Sequence, residues 1–211
     1  MSDKIISDPV HLQPAAPQPG GNQLFPVFLK LENLSLLIVG GGYVGMEKLK
    51  AVLQNSPAAN IRIVATDISD EIKQAVCGNN KVELIERPYQ SGDIDGMNIV
   101  IAAVNDNSVS ERVSHDARLK GVLVNAADKP GLCDFYLGSV VQKGNLKIAI
   151  STNGKSPTIA KRVKEVLNET LPDEIDSLLD NMQSIRNKMS GDFAEKVKQL
   201  NEITKRLSQE K

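Results

Sequence analysis

Three glycines at GxGxxG spacing form the pattern in this chain that most directly indicates chemistry. Gly40, Gly42 and Gly45 follow four consecutive apolar residues, Leu36 to Val39. In such a motif the first glycine allows a tight turn, the second lets the backbone approach a pyrophosphate, and the third lets a helix pack on the strand. The N–H groups at the start of that helix then point at the phosphates. The residues predicted to contact a dinucleotide are Gly40, Gly41, Gly42, Tyr43, Val44 and Gly45.

A carboxylate for the ribose hydroxyls is expected about 20 residues beyond these glycines. Asp67 has that spacing and comes just after the predicted strand Asn60 to Ala65. Two interpretations stay open: Asp67 binds the ribose, or it only begins the next helix together with Ser69 and Asp70. Because no arginine immediately follows the strand, NAD is favoured over NADP.

The elements that position these residues alternate between strand and helix patterns from Leu24 to about Ala127. Short apolar runs predict buried strands, and apolar residues every three or four positions predict helices. This alternation predicts an α/β fold with a Rossmann-like, doubly wound parallel sheet. Ser108 and Glu111 match a capping box for one of the helices. The predicted elements are Leu34 to Val39, Tyr43 to Gln54, Asn60 to Ala65, Ser69 to Val76, Val82 to Glu86, Asn98 to Ala103, Ser108 to Leu119 and Val122 to Asn125.

The pattern changes after Pro130, where a small α+β segment and then helices are predicted. Asp134 to Val141 and Leu146 to Ser151 bracket a turn, which is typical of an antiparallel hairpin. A helix follows from Ser156 to about Asn168. Beyond Pro172, apolar spacing predicts two amphipathic helices, broken near Ser190 and Gly191. The predicted divisions are a disordered Pro-rich leader (1–22), a nucleotide-binding domain (23–132), a hairpin-plus-helix segment (133–170) and a C-terminal helical region (171–211).

Composition argues against several classes of protein. The 211 residues are 41% hydrophobic, which supports a real core, and the net charge of −1 argues against a nucleic-acid partner. No apolar run approaches the roughly 18 residues of a membrane span and no signal-peptide pattern is present, so a cytoplasmic location is expected. The two cysteines, Cys77 and Cys133, and the two histidines, His11 and His115, do not cluster, so no metal site is predicted.

Further motifs make the chain similar to a known family. They are Leu24 to Lys30, Val39 to Val44 with Lys48, Ala102 to Asp106, Val124 to Asp128, Phe135, and Ile150 to Pro157. Over about Leu24 to Met189 the chain resembles the precorrin-2 dehydrogenase family, the module that also forms the N-terminal part of trifunctional siroheme synthase. The resemblance implies oxidation of precorrin-2 to sirohydrochlorin with NAD as hydride acceptor and, in some members, insertion of ferrous iron. It also implies a homodimer in which the segment 133–170 exchanges between protomers and the C-terminal helices close the tetrapyrrole cleft.

The resemblance implies that Asp128 is the catalytic carboxylate, within the motif Val-Asn-x-x-Asp. Asp128 follows the predicted strand Val122 to Asn125, hence a carboxyl end of the sheet, where ligands of open α/β folds bind. A carboxylate there suits a general base for the proton that leaves when NAD takes the hydride. The alternative is that Asp128 only begins a turn with Lys129, Pro130 and Gly131.

The carboxylates of a tetrapyrrole need cations and N–H donors, which the segment before and within the helix at Ser156 offers. The residues predicted to contact the substrate are Asn125, Ser151, Thr152, Asn153, Gly154, Lys155 and Arg162. Some relatives have serine in place of Thr152. Asn105 and Asp106 are predicted to contact the nucleotide, or else only to precede the next helix as capping residues.

The alternative function is a non-catalytic NAD-binding regulatory domain, a sensor. It explains the sheet and the nucleotide site but neither the segment Ser151 to Pro157 nor the helical tail. NAD binding without turnover would favour it. A short-chain reductase is not indicated, because no tyrosine of the chain is followed four positions later by lysine.

Overall fold

The structure, a computed structural model, describes residues 21–188, 195–198 and 201. Nearly all of the predicted leader (1–22), the predicted break at Ser190 and Gly191, and most of the last predicted helix lie outside these residues. The elements are β1 (Ser35–Val39), α1 (Tyr43–Asn55), β2 (Asn60–Ala65), α2 (Asp70–Ala75), β3 (Val82–Glu86), β4 (Ile99–Ala102), α3 (Asn107–Leu119), β5 (Leu123–Ala126), β6 (Ser139–Lys143), β7 (Leu146–Ile150), α4 (Pro157–Thr170) and α5 (Ile175–Lys188).

Five parallel strands form the central sheet in the order β3-β2-β1-β4-β5. Ile38 of β1 pairs with Ile63 of β2 on one side and with Ile101 of β4 on the other. The strand order reverses beside β1, so a switch point lies between the carboxyl ends of β1 and β4, where open α/β sheets bind ligands. The predicted α/β fold with a Rossmann-like parallel sheet is confirmed.

Apolar layers cover both faces of the sheet. Leu36 and Ile38 of β1 point into the layer formed with α1 and α2, and Leu37 and Val39 point into the layer formed with α3. All four side chains are buried. Full burial of such a side chain contributes about 1.5–3 kcal/mol, so these contacts hold the end of β1 and the turn that follows it in a defined position.

Helix α3 begins one residue earlier than predicted and has a different N-cap. The carboxylate of Asp106 accepts hydrogen bonds from the backbone N–H groups of Ser108 (2.8 Å) and Val109 (3.3 Å). The predicted capping box of Ser108 and Glu111 is therefore wrong, because the chain is still extended at Asp106 and turns helical at Asn107. The hydrogen bond from the Ser108 hydroxyl contributes most to holding the pKa of Asp106 below its usual value, and the two backbone N–H groups contribute further.

The predicted hairpin is present as β6 and β7, but β6 begins at Ser139 rather than at Asp134. Residues 133–135 instead run beside the outer edge of β5. The N–H of Asp134 donates to the carbonyl of Val124 (2.7 Å), and the Asp134 carboxylate accepts from the N–H of Val124 (3.1 Å). These contacts cover part of an edge that would otherwise present unpaired backbone groups.

The tip of the hairpin holds the start of α5. The backbone N–H of Asn145 (2.7 Å) and its side-chain amide (2.9 Å) both donate to the carboxylate of Asp176. Lys143 forms an ion pair with Asp173 just before the helix. None of the residues of α5 is buried. Polar contacts therefore attach the start of α5 to the hairpin, and the apolar side chains of the helix are half-buried or exposed.

An ion pair beside the sheet makes stability depend on pH. The buried carboxylate of Asp93 accepts hydrogen bonds from two nitrogens of Arg87 (2.9 and 2.6 Å) and from the N–H of Gln90 (2.8 Å). The bonds to Arg87 contribute most to holding the pKa of Asp93 below its usual value. Because the folded-state pKa is lower than the unfolded one, the stabilisation is complete above the unfolded value of about 3.9 and is lost as the pH falls through the folded value.

We therefore expect Asp93→Asn to lower the thermal unfolding midpoint at pH 7, and we expect the difference from the wild type to shrink as the pH falls below the unfolded value of about 3.9. Circular dichroism melts between pH 2 and pH 8 measure both effects. Asp95→Asn is the matched control, because Asp95 pairs with Lys120 at the exposed surface, where ion pairs contribute little. A difference between wild type and Asp93→Asn that stays the same at every pH would contradict this account.

Candidate functional site

The turn between β1 and α1 and the start of α1 need glycine at three positions for their own packing. Gly40 has a φ of +125°, and a Cβ there would lie 2.2 Å from the carbonyl oxygen of Ala103. A Cβ on Gly45 would lie 2.2 Å from the carbonyl oxygen of Gly40. Gly41 is similarly close to the backbone of the loop after β2. The first and third glycines therefore let strand, turn and helix approach one another, as the spacing predicts.

Gly42 has a different role, because it faces open space. Among the described residues, no atom lies within 4 Å of a Cβ built on Gly42, and no side chain caps the helix that begins after it. The first N–H groups of α1, at the positive end of the helix dipole, thus face open space. Tyr43 is exposed beside this opening and Val44 is half-buried. The arrangement fits the pyrophosphate of a dinucleotide.

The loop after β2 lies against the glycine turn. The N–H of Ser69 donates to the carbonyl of Gly41 (2.9 Å), and the Ser69 hydroxyl caps α2 by accepting from the N–H of Ile72 (3.4 Å). Helix α2 begins at Asp70. Asp67 is therefore not the cap, and its exposed side chain belongs to the same edge of the sheet as the glycine turn. This geometry favours the ribose interpretation, and the contact itself stays a prediction.

The loop after β4 contains Asn105 and Asp106. Asn105 is exposed, whereas Asp106 is committed to capping α3, which matches the capping interpretation. The ammonium of Lys129 donates to the Ser110 hydroxyl (2.6 Å) and to the Asp106 carbonyl (3.4 Å), and so connects this loop to the loop after β5. Sequence reasoning missed this role of Lys129, because its partner on α3 is distant in the chain. Nucleotide contacts of Asn105 and Asp106 stay predictions.

Asp128 lies in the loop after β5, at the carboxyl edge of the sheet. It is exposed and has a φ of +58°, a conformation shared by one other non-glycine residue of the described chain, Asn153. It belongs to a turn in which the N–H of Lys129 donates to the carbonyl of Ala126 (3.2 Å). The left-handed conformation is unfavourable by roughly 1–2 kcal/mol for a residue with a Cβ. Aspartate tolerates this conformation better than most residues and is favoured in turns, so the φ value fits both the turn interpretation and the catalytic one.

Asn125 does not join Asp128 at the exposed edge. Its side chain is buried, and its amide donates to the carbonyl of Phe135 (2.9 Å). This bond helps to hold residues 133–135 beside β5. The observed geometry favours a supporting role for Asn125 over the predicted substrate contact.

The predicted substrate segment before α4 is a tight turn. The N–H of Lys155 donates to the carbonyl of Thr152 (3.1 Å), and the two central residues, Asn153 and Gly154, have φ values of +55° and +73°. Asn-Gly is a favoured pair for a turn with two positive φ angles. Gly154 and Lys155 are exposed at its tip.

The hydroxyls of this segment stabilise the turn. Thr152 accepts from the N–H of Ser156 (3.2 Å) and donates to the Ser156 carbonyl (3.1 Å), while Ser156 caps α4. Ser151 accepts from the N–H of Asn153 (3.2 Å). Arg162 is exposed and pairs with Glu165 (2.6 Å). The cations of Lys155 and Arg162 are thus the groups best exposed to an anionic ligand.

The predicted site residues form two groups that are not hydrogen-bonded to each other within the described chain. The glycine turn, Asp67, Asn105 and Asp128 belong to one edge of the sheet, and no hydrogen bond between described residues joins the 151–155 turn to that edge. Lys147 of β7 instead contacts the carbonyl of Asn55, at the opposite end of α1 from the glycine turn. No group of three or more His, Cys, Asp or Glu side chains in the described ranges is placed to hold a metal ion. No described helix is long and apolar enough to cross a membrane.

The sheet order and the open glycine cradle at its switch point define a nucleotide-binding protein of the Rossmann type. A family model described as "Putative NAD(P)-binding" matches residues 27–139, and a model described as "Sirohaem biosynthesis protein central" matches residues 143–169. The chain belongs to this NAD(P)-binding family. The predicted family and dinucleotide cofactor are confirmed, whereas the predicted boundaries at residues 22, 132 and 170 stay predictions.

Curated relatives are siroheme synthases. That of Psychrobacter sp. (strain PRwf-1) is 36% identical over 174 residues, which are 82% of this chain and 34% of the relative. That of Pseudomonas fluorescens (strain SBW25) is 34% identical over 150 residues, 71% of this chain and 32% of the relative. The chain thus spans about a third of the length of these relatives. A solved precorrin-2 dehydrogenase, SirC, matches with a TM-score of 0.69 and 26% identity, over 88% of this chain and 94% of that one.

Proposed function

We propose that this protein oxidises precorrin-2 to sirohydrochlorin with NAD as hydride acceptor. The observation that carries the proposal is the exposed carboxylate of Asp128 at the same sheet edge as the open cradle at Gly42. The similarity to siroheme synthases and to SirC, a precorrin-2 dehydrogenase, supports the choice of substrate. The location of the reaction in the cytoplasm stays a prediction.

In this proposal, different residues bind the cofactor and accept the proton. The backbone of Gly42 to Gly45 holds the pyrophosphate, and Asp67 accepts hydrogen bonds from the ribose hydroxyls. A carboxylate at Asp67 disfavours a 2′-phosphate, and hence NADP. Bound NAD supplies the hydride acceptor. Each oxidation removes one hydride and one proton from the substrate, and Asp128 accepts the proton as general base and releases it to water.

The same carboxylate is suited to a second reaction, insertion of ferrous iron into sirohydrochlorin. Two pyrrole N–H protons must leave the macrocycle when the metal enters, and Asp128 accepts them as general base. Iron is here a substrate, so the reaction requires no resident metal site. The substrate carboxylates are bound by Lys155 and Arg162.

We also propose a homodimer in which the segment 133–170 of one protomer completes the site of the other. Within that segment only Val141 and Ala160 are buried in the described chain, and a two-stranded hairpin is marginally stable by itself. Helix α4 exposes an apolar face at i, i+4 and i+7 spacing, made of Ile159, Val163 and Val166. An exposed apolar face of this kind is typical of an interface. Exchange would bring a partner's 151–155 turn to the sheet edge.

We expect Val163→Glu to convert the protein from dimer to monomer, because a charge on this apolar face leaves a carboxylate buried without a partner. Light scattering after size-exclusion chromatography measures the mass. Lys161→Glu, which changes a residue on the opposite side of α4, is the matched control and should leave the dimer intact. A wild-type mass equal to that of one chain would exclude the dimer.

The experiment that tests the function is anaerobic incubation of the purified protein with precorrin-2 and NAD, followed by ferrous iron. Absorbance follows sirohydrochlorin and then sirohaem. Formation of sirohydrochlorin that depends on NAD, and is slower with NADP, would support the dehydrogenase, and faster metal insertion than in protein-free solution would add the chelatase. NAD binding without turnover would replace the proposal with the sensor.

A further inference from the structure

The thiol of Cys133 contacts the backbone of the loop that contains Asp128. The sulfur of Cys133 accepts a hydrogen bond from the N–H of Ala126 (3.2 Å). The thiol also lies within donating distance of the carbonyls of Ala126 (3.2 Å) and Lys129 (3.4 Å), one of which takes its single proton. Cys133 therefore contacts the backbone on both sides of Asp128.

Other contacts hold the same loop. The N–H of Lys129 donates to the carbonyl of Ala126 (3.2 Å) across the turn, and the ammonium of Lys129 donates to the Ser110 hydroxyl (2.6 Å). The N–H of Ala127 donates to the carbonyl of Ala102 (2.9 Å), which extends the pairing of β5 with β4. After the loop, Asp134 is paired with Val124, as described above. A residue held in a sparsely populated conformation persists only where its surroundings impose that conformation. Among the described residues, Cys133 is the one whose side chain contacts the backbone of both Ala126 and Lys129, the two ends of the turn that contains Asp128.

We propose that Cys133 is a positioning residue for Asp128: its thiol fixes the turn 126–129 and thereby the direction of the Asp128 carboxylate. The inference rests on the proposed catalytic function of Asp128. It assigns to the cysteine a role in geometry and not in the chemistry of the reaction. Cys77, the other cysteine, is exposed beyond α2 and provides a matched control.

The first test separates kcat from KM in four variants. We expect Cys133→Ala to lower kcat for precorrin-2 oxidation about 10- to 100-fold, because small displacements of a catalytic group have effects of this size. The KM for NAD should stay within about twofold, since the glycine cradle lies in a different loop, between β1 and α1. Cys133→Val, which fills the volume without hydrogen bonds, should behave like alanine, whereas Cys133→Ser should recover part of the rate. Cys77→Ala should match the wild type.

The second test needs no turnover. Hydrogen exchange of the Ala126 and Lys129 amides should be at least about tenfold faster in Cys133→Ala and Cys133→Val than in the wild type, with the strands unchanged. The inference about Cys133 would be overturned if the wild type turns over normally and the variants show either unchanged hydrogen exchange or unchanged kcat. The proposed function would then still stand. If the wild type binds NAD without turnover, the proposed function is overturned. The inference that Cys133 positions a catalytic group then fails as well, whatever the result of hydrogen exchange.

Discussion

Asp128→Asn is expected to lower kcat for sirohydrochlorin formation by about 10²- to 10⁴-fold, the usual contribution of a general base. Asparagine has nearly the same size as aspartate and tolerates the left-handed conformation observed at φ +58°. The variant therefore removes the proton acceptor while the turn keeps its shape. NAD affinity, measured by calorimetry, should be unchanged, because the cradle at Gly42 is formed by a different loop.

A companion variant separates the charge of Asp128 from its backbone conformation. Asp128→Gly should be equally inactive, yet its free energy of unfolding should stay within about 1 kcal/mol of the wild type. Relief of left-handed strain offsets the larger entropy of the unfolded chain. Asp128→Ala should be inactive and also less stable, since alanine is strained at this φ. Normal turnover in the asparagine or glycine variant would remove Asp128 from the mechanism.

Gly42→Val is expected to weaken NAD binding about 100-fold or more, which corresponds to roughly 2.7 kcal/mol. The backbone of Gly42 has φ −92° and ψ −157°, an extended conformation that any residue adopts, and a Cβ there meets no described atom. The valine side chain would instead occupy the space of the pyrophosphate. Valine is a poorer N-cap than glycine but meets no clash at its Cβ, so the thermal unfolding midpoint without NAD should fall only slightly, while calorimetry shows the loss of binding.

Gly45→Ala provides the contrast within the same motif. Its Cβ would lie 2.2 Å from the carbonyl oxygen of Gly40, so α1 and the turn must move apart. Overpacking of this kind destabilises a protein by about 1–3 kcal/mol. The midpoint should fall before any ligand is added. If Gly42→Val were as unstable as Gly45→Ala, the assignment of Gly42 to the ligand would be contradicted.

The sequence predicts the parts of this protein that depend on local periodicity and on the backbone of single residues. The apolar run Leu36 to Val39 and the glycines after it predict β1, the turn and α1, because burial on two faces and close backbone approach each require particular residue types. The hairpin after Pro130 is predicted for a similar reason. Motif order also supports the family, which the matches to residues 27–139 and 143–169 confirm.

Local patterns fail where two residues compete for the same role. Asp106 and Ser108 are both good N-caps, and the one that caps α3 is the residue at which the chain leaving β4 is still extended. Asp134 fits a strand pattern, but its backbone pairs beside β5 and the hairpin begins only at Ser139.

The tertiary structure alone decides which of the candidate residues share a site. Asn125 adjoins Asp128 in the motif, yet it is buried against the carbonyl of Phe135. Cys133 and Lys129 carry no signal in their spacing, yet they hold the Asp128 loop through Ala126 and Ser110. Periodicity reports the environment of a residue along its own element, whereas these contacts arise when β5, α3 and the returning chain are packed together in three dimensions.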